Sequence, residues 1–287
     1  MIGMESYSTR ILIQRVVVYL FLIILAVICL LPFYITFVNA TRSSMEINQG
    51  LSLLPGSSLG KNFITLWGKG KGENLNIFRG LRNSFFVATS ATLLGLYVAA
   101  LAGFGFAFYN FPAKRFLFAV VLGVIMVPAQ LGIIGYFQLL SAYHMLDTFW
   151  ALILPGGANA FAVFFLRQYA SSIIDQEMLQ AARIEGAGEL RIFHWLGLPL
   201  LTPGLATMGI FAFVGNWNNY LLPLVVLFSN EKFTVPIIIG QLNTSTYKTD
   251  FGMLYLAIAL SLLPILIVYS IASRFIIEGI SLGALKE

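Results

Sequence analysis

The chain has 287 residues, of which 59% are hydrophobic and only 10% charged, with a formal net charge of +5 and a mean hydropathy of +0.86. A soluble globular domain carries roughly 25% charged residues, so the composition excludes that class. The small positive excess contains no basic run and does not point to a nucleic-acid partner.

A helix crossing a bilayer needs about 20 mostly apolar residues. In chain order the sequence offers six such stretches: Val16–Val38, Phe85–Tyr109, Phe116–Leu140, Phe149–Leu166, Leu200–Phe228 and Leu254–Phe275. None contains Asp, Glu or Lys, and Arg274 sits only at the tip of the last. The predicted fold is an all-α integral membrane protein with six transmembrane helices. A membrane β-barrel would instead alternate in segments of about ten residues. The first stretch is too long for a signal-peptide core of about 7–15 residues. It runs into Leu31-Pro32-Phe33-Tyr34, so an uncleaved anchor is expected. The lone Cys29 lies inside it and can build neither a disulfide framework nor a metal cluster.

Six spans put both termini on one side. With the N-terminus inside, nine Lys/Arg fall on the inner side and eight on the outer, six of those in the long first loop, where Arg42, Lys61, Lys69 and Lys71 precede its last ten residues. The short connection Asn110–Arg115 carries two cations and no acid, which favours the inner side. Both termini are therefore expected in the cytoplasm. Residues 1–82 read as the anchor span and a long external loop, polar and glycine-rich around Trp67–Gly72. Residues 83–275 read as a transmembrane domain of five spans, with an inner loop at 168–198. Residues 276–287 read as a cytoplasmic tail.

Transport driven by protons or sodium places ionisable groups within the spans. Only His144 lies near one, at the outer end of the third. There is no G-x-x-x-x-G-K-S/T phosphate loop, no His-Glu-x-x-His and no serine triad in the sequence. The chain is therefore not expected to be an enzyme. A multi-span pore without energy machinery is either a passive channel or scaffold, or one part of a complex.

The inner loop carries the most information. Asp175 and Glu177 suit a helix N-terminus, where carboxylates meet the positive end of the dipole. Ala181 and Ala182 favour helix and leave a low surface that another protein can approach. Gly186 and Gly188 then interrupt, with Gly186 expected at positive φ, and Glu189–Trp195 can resume in another direction. The result is a bent helix pair across the inner mouth, followed by Leu198-Pro199 and Pro203 at the start of the fifth span. Physics alone slightly favours the plainer reading, a loop with one amphipathic helix resting on the membrane surface.

The run Gln180-Ala181-Ala182-x-x-Glu185-Gly186-Ala187, followed by Leu198-Pro199-x-x-x-Pro203, resembles the E-A-A-x-x-D-G-A…L-P-x-x-x-P signature of permease subunits of type I ABC importers. Phe165-Leu166-Arg167, Trp217-Asn218-Asn219-Tyr220-Leu221-Leu222-Pro223 and the C-terminal Glu278-Gly279-Ile280…Gly283-Ala284-Leu285-Lys286 are similar to the carbohydrate, maltose-type branch. Gln180 stands where the signature has glutamate, and Glu185 where it has aspartate.

The resemblance implies a permease that pairs with a second, homologous permease above two ATPase subunits, which use ATP and magnesium. It also implies an extracellular substrate-binding protein and a place in the bacterial cytoplasmic membrane. This chain itself would bind no cofactor or metal. Gln180, Ala181, Ala182, Glu185, Gly186, Ala187 and Gly188 would form the coupling helix that docks on an ATPase.

For a sugar path the candidate lining is Gln130, Tyr136, Gln138, Asn159, Asn216, Trp217, Asn218, Asn219 and Tyr220. Amides and aromatic faces suit hydroxyl-rich ligands without burying charge, and Gly215 is expected to unwind the helix locally. Asn243, Thr244, Ser245 and Thr246 are too polar for lipid and are expected to touch the binding protein. An importer of another small neutral solute fits the same residues. An anionic cargo does not, since basic residues are missing from the spans.

Overall fold

A computed structural model describes residues 2–72, 75–243 and 250–284, without the side chains of residues 2–11, 13, 69–72 and 272–284. Every regular element among the described residues is helical. The chain forms two compact units, one of Met1–Lys69 with Leu242–Leu260 and one of Gly70–Gln241 with Ser261–Glu287.

In the first unit, α1 (Ile2–Ala40) is one long helix that continues through Pro32. Its side chains from Val16 to Leu31 are exposed, as a lipid-facing helix requires. The segment after it is not the plain polar loop expected from its composition. Part of it folds into α2 (Ser44–Asn48), closed by a reciprocal capping box between Ser43 and Glu46, and α3 (Leu59–Gly72). Arg42, expected as an external cation, is buried instead. Its guanidinium donates to Asn39 Oδ1 at 3.1 Å, Gly50 O at 3.1 Å and Glu46 O at 2.5 Å. Asn62, also buried, donates to Ala40 O and Arg42 O at 2.9 Å. A buried polar group must be satisfied: Asn62 closes on carbonyls at and just past the end of α1, and Arg42 on the Asn39 side chain and the carbonyls of Glu46 and Gly50.

The second unit is built on α4 (Ile77–Phe108), capped by the Asn76 side chain and longer at its start than the hydropathy suggested. It is followed by α5 (Lys114–Met126), α6 (Ile133–Ala142), α7 (Trp150–Ile153) and α8 (Ala160–Ile173). Then come α9 (Gln176–Ile184), α10 (Glu189–Ile192), a π-turn at Phe193–Gly197 and α11 (Leu198–Leu200). The chain continues through α12 (Thr202–Trp217), α13 (Leu221–Val226) and α14 (Val235–Asn243) to α15 (Phe251–Ala284), the stretch Leu242–Leu260 belonging to the first unit. On α4, Ala91, Gly95, Ala99 and Gly103 recur at every fourth residue and are all buried. This small-residue stripe lets α8 and the turn before it approach the α4 backbone closely.

Four helices are long and apolar enough to span a membrane unbroken: Gln14–Ala40, Ile77–Phe108, Trp150–Ile173 and Phe251–Ile271. The other two expected spans are bent pairs. Lys114–Met126 and Ala129–Ala142 meet at 95°, and Glu189–Leu200 and Thr202–Trp217 at 74°. The first bend has a local cause: Val127 precedes Pro128 and adopts the extended φ −92°, ψ 122° that a following proline imposes. The helix also does not unwind at Gly215. It runs to Trp217 and breaks over Asn218–Tyr220.

Segments expected on the same side do meet. Asp147, between α6 and α7, receives hydrogen bonds from Phe228 N at 3.0 Å, Ser229 N at 3.1 Å, the Ser229 hydroxyl and Lys232 Nζ at 3.0 Å. Burial alone would raise the Asp147 pKa, but the Ser229 hydroxyl, the two backbone amides and the Lys232 ammonium outweigh it and hold it well below the usual carboxylate range. A depressed folded-state pKa contributes stability that is present above the unfolded value of about 3.9 and is lost as pH falls through the folded one. Asp147→Asn should therefore lower the thermal midpoint at pH 7, by an amount corresponding to about 2 kcal/mol. Melting curves from pH 7 down to 3 should show the gap to wild type narrowing. A gap that widens on acidification would contradict this role.

Candidate functional site

Two neighbouring cavities open in the second unit, both touched by Pro155 and Gly215. The larger, about 700 Å³, is lined by Gln130, Tyr136, Asn218, Asn219 and Tyr220 among others. The smaller, about 360 Å³, has Asn159 and Asn216 in its wall beside Ala91, Gly95 and Gly156. No lining residue of either is charged. The Pro128 bend and the break after Trp217 open this space, because each ends a helix where a continuous span would have filled it.

Four of the polar wall residues are each held by one bond and keep capacity for another. Tyr136 donates its hydroxyl to Ala151 O at 2.8 Å. Asn159 caps α8 by accepting from Ala162 N at 3.0 Å, and Asn216 donates to Thr92 Oγ1 at 3.2 Å. Asn219 accepts from Leu222 N at 3.4 Å. Such pre-oriented amides are ready to meet a ligand's hydroxyl groups.

Two expected lining residues are elsewhere. Trp217 is 2% exposed and stacks on Phe213 with centroids 5.8 Å apart, so its ring is core rather than wall. Gln138 is exposed on α6 and lines neither cavity. Asn243 is exposed at the end of α14, whereas Thr244, Ser245 and Thr246 lie outside the described residues.

The bent loop is a built structure. Asp175 holds the N-cap position of α9 and Glu177 lies in its first turn. At the other end Gly186 N bonds Arg183 O at 3.0 Å and Ala187 N bonds Ala182 O at 3.0 Å, with Gly186 at φ +82°. These are the two bonds of a Schellman helix stop, which needs a left-handed residue after the cap. Glu185-Gly186-Ala187 is thus the stop signal of α9. Ala182 and Ala187 both pack inward, onto a core containing Leu179, Ile192, Phe193, Ala100, Phe104 and Leu166. Gln180, Ala181, Glu185, Gly186 and Gly188 face outward.

The far arm is strapped to the end of α4. Glu189 accepts from Arg183 at 2.9 and 3.2 Å and from the Tyr109 hydroxyl, while the Arg183 guanidinium lies 5.7 Å from the Tyr109 ring centroid. The loop is thus joined to α4 and α8 through packed side chains. Ile184, at 87% exposure, and Leu190, at 70%, stand bare on either side of the bend. An apolar residue just before a helix-stop glycine was the available signal for Ile184 in the sequence.

Residues 80–281 match the binding-protein-dependent transport system inner membrane component family. The chain belongs to that family. Among relatives of this inner membrane component is the arabinooligosaccharides transport system permease protein AraQ of Bacillus subtilis. It is 30% identical over 286 residues, 99% of this chain and 100% of that one. The sn-glycerol-3-phosphate transport system permease protein UgpE of Yersinia pestis is 31% identical over 265 residues, 91% and 94% of the two chains. A chain of a bacterial ABC transporter involved in the import of the acidic polysaccharide alginate superimposes with a TM-score of 0.75 at 22% identity. That match covers 92% of this inner membrane component and 96% of that chain, and concerns fold alone.

Proposed function

We propose that this chain is one permease subunit of an ATP-driven, binding-protein-dependent importer of a sugar or oligosaccharide. The observation that carries the cargo class is the cavity of about 700 Å³ walled by amides and aromatics without a charge. The name of the Bacillus relative points the same way. In this reading each bent pair counts as one span, giving six, with both termini in the cytoplasm of a bacterial cell. A homologous second permease supplies the other half of the pathway. Two ATPase subunits, which hold ATP and magnesium, dock on the outward face of the bent loop at Gln180, Ala181, Glu185, Gly186 and Gly188. Ile184 enters a pocket on the ATPase as an apolar anchor, of the kind that carries most of the energy in an interface. The binding protein delivers cargo near Asn243–Thr246. ATP-driven closure then moves the loop, and the Glu189–Tyr109 strap passes that motion to α4.

The test is uptake of labelled oligosaccharides by cells carrying the whole system. Asn219→Asp places an unpaired charge in the cavity wall, and should cut uptake of the neutral cargo at least tenfold while the protein level stays normal. Unchanged uptake would remove the cavity from the path. Preferred uptake of an anionic solute by wild type would overturn the cargo class.

A further inference from the structure

We propose that a second, basic pocket binds the phosphodiester headgroup of an anionic phospholipid, at the end of the helices nearest the bent loop. Phe106 and Asn110, Lys114, Arg115 and Phe118 at the start of α5, and Arg167 in α8 enclose about 260 Å³. Three cations share this space, and no acidic side chain pairs with any of them among the described residues. The Arg167 guanidinium carbon lies over the Phe118 ring, 4.3 Å from its centroid. One of its terminal nitrogens donates to Gln168 Oε1 at 2.8 Å, but Nε is buried with no hydrogen-bond partner. Lys114 Nζ meets only a neutral acceptor, Tyr109 O at 2.8 Å.

Three like charges around one small space repel one another, and an anionic group in the pocket would relieve that repulsion. The site also lies at the positive end of a 13-residue helix, α5, whose N-cap Ala113 sits at φ +61° and offers no side-chain cap. Free phosphate would satisfy the same donors, but the flanks identify the source. Phe111, Phe116 and Leu117 beside the pocket are all exposed apolar side chains, suited to acyl chains rather than water. Basic pockets between membrane helices hold anionic headgroups in this way. A zwitterionic lipid brings its own cation and leaves the excess positive charge uncompensated.

The test is native mass spectrometry of the full chain, released from detergent after incubation with phosphatidylglycerol, cardiolipin, phosphatidylcholine or inorganic phosphate. Phosphatidylglycerol or cardiolipin should be retained at least tenfold more than phosphatidylcholine. Arg167→Gln should reduce that retention about tenfold, and so should Arg115→Gln, whose exposed side chain makes a folding defect unexpected. Arg191→Gln, an exposed cation elsewhere, should change nothing. Equal retention of all lipids, or full retention by Arg115→Gln, overturns the proposal. Retention of inorganic phosphate without lipid overturns the lipid assignment. If Arg115→Gln releases the ATPase from the assembled transporter while lipid retention stays intact, the pocket is a protein contact and the proposal fails.

Discussion

Gly186→Val and Ala181→Trp should each abolish sugar uptake and binding-protein-stimulated ATP hydrolysis while leaving the chain inserted and folded. The two act by different physics. Gly186 sits at φ +82°, with no neighbouring atom within 4 Å of an added Cβ. Valine would meet no clash there, only backbone strain. A β-branched residue in the left-handed region costs roughly 1–3 kcal/mol, about what the stop bonds to Arg183 and Ala182 contribute. The stop should open and the Glu185–Gly188 bend lose its direction. Ala181 is exposed, so tryptophan there leaves the chain's own packing alone and should wedge the proposed docking face apart; overpacking a fitted site costs about 1–3 kcal/mol. Ala182→Trp should be more damaging to the chain itself, because Ala182 packs inward against the core under the loop. Arg191→Ala, on an exposed side chain, should transport near normally. The deciding measurements are uptake, ATPase stimulation and co-purification of the ATPase. Normal transport by both Gly186→Val and Ala181→Trp would reduce the loop to a surface helix.

These residues also mark how far the sequence could be read. Gly186 was placed at positive φ from its position between two helical runs, and the structure has it there. The same motif holds a second layer that spacing could not separate. Its alanines differ, one facing out and one in, and only the helix phase set by Leu179 against the core decides which. The spans were legible as apolar runs because hydropathy counts residues. It does not report direction, so the 95° and 74° bends were invisible, although Pro128 and the Pro199/Pro203 pair sit beside them. Hence the larger cavity could not be foreseen as a shape, even though most of its polar wall was named. Trp217 went wrong for a related reason. It neighbours Asn216 and Asn218 in sequence, yet it points about 100° away from Asn216 on the helix, into Phe213 and Ala88. Arg42 misled because a charge near a predicted loop reads as solvated, and the carbonyls that bury it come from three separate places.

Gly95→Val should be the most destructive single substitution in the second unit. A Cβ built on Gly95 would lie 2.3 Å from Gly156 O, and one on Gly156 would lie 2.6 Å from Ala91 O. Both obstacles are backbone carbonyls, which cannot swing aside as a side chain can, so α4 must separate from the Pro155-Gly156-Gly157 turn. Helices in a membrane are held by close packing, since lipid is as apolar as their side chains, and separation forfeits contacts along the whole Ala91–Gly103 stripe. The expected cost is at least the 1–3 kcal/mol of ordinary overpacking. It should appear as a fall in folded yield and a midpoint lowered by several degrees in detergent. The same contact forms part of the wall of the cavity containing Asn159 and Asn216, so any protein that survives should also transport poorly. Gly105→Ala provides the contrast. It lies on the same helix with nothing within 4 Å of the added Cβ, and alanine there should be neutral or stabilise by about 0.5–1 kcal/mol. Fluorescence-detected size exclusion after a temperature ramp would separate the two. If Gly95→Val melted with wild type, the tight approach of α4 to the 154–158 turn would not be what holds this unit together.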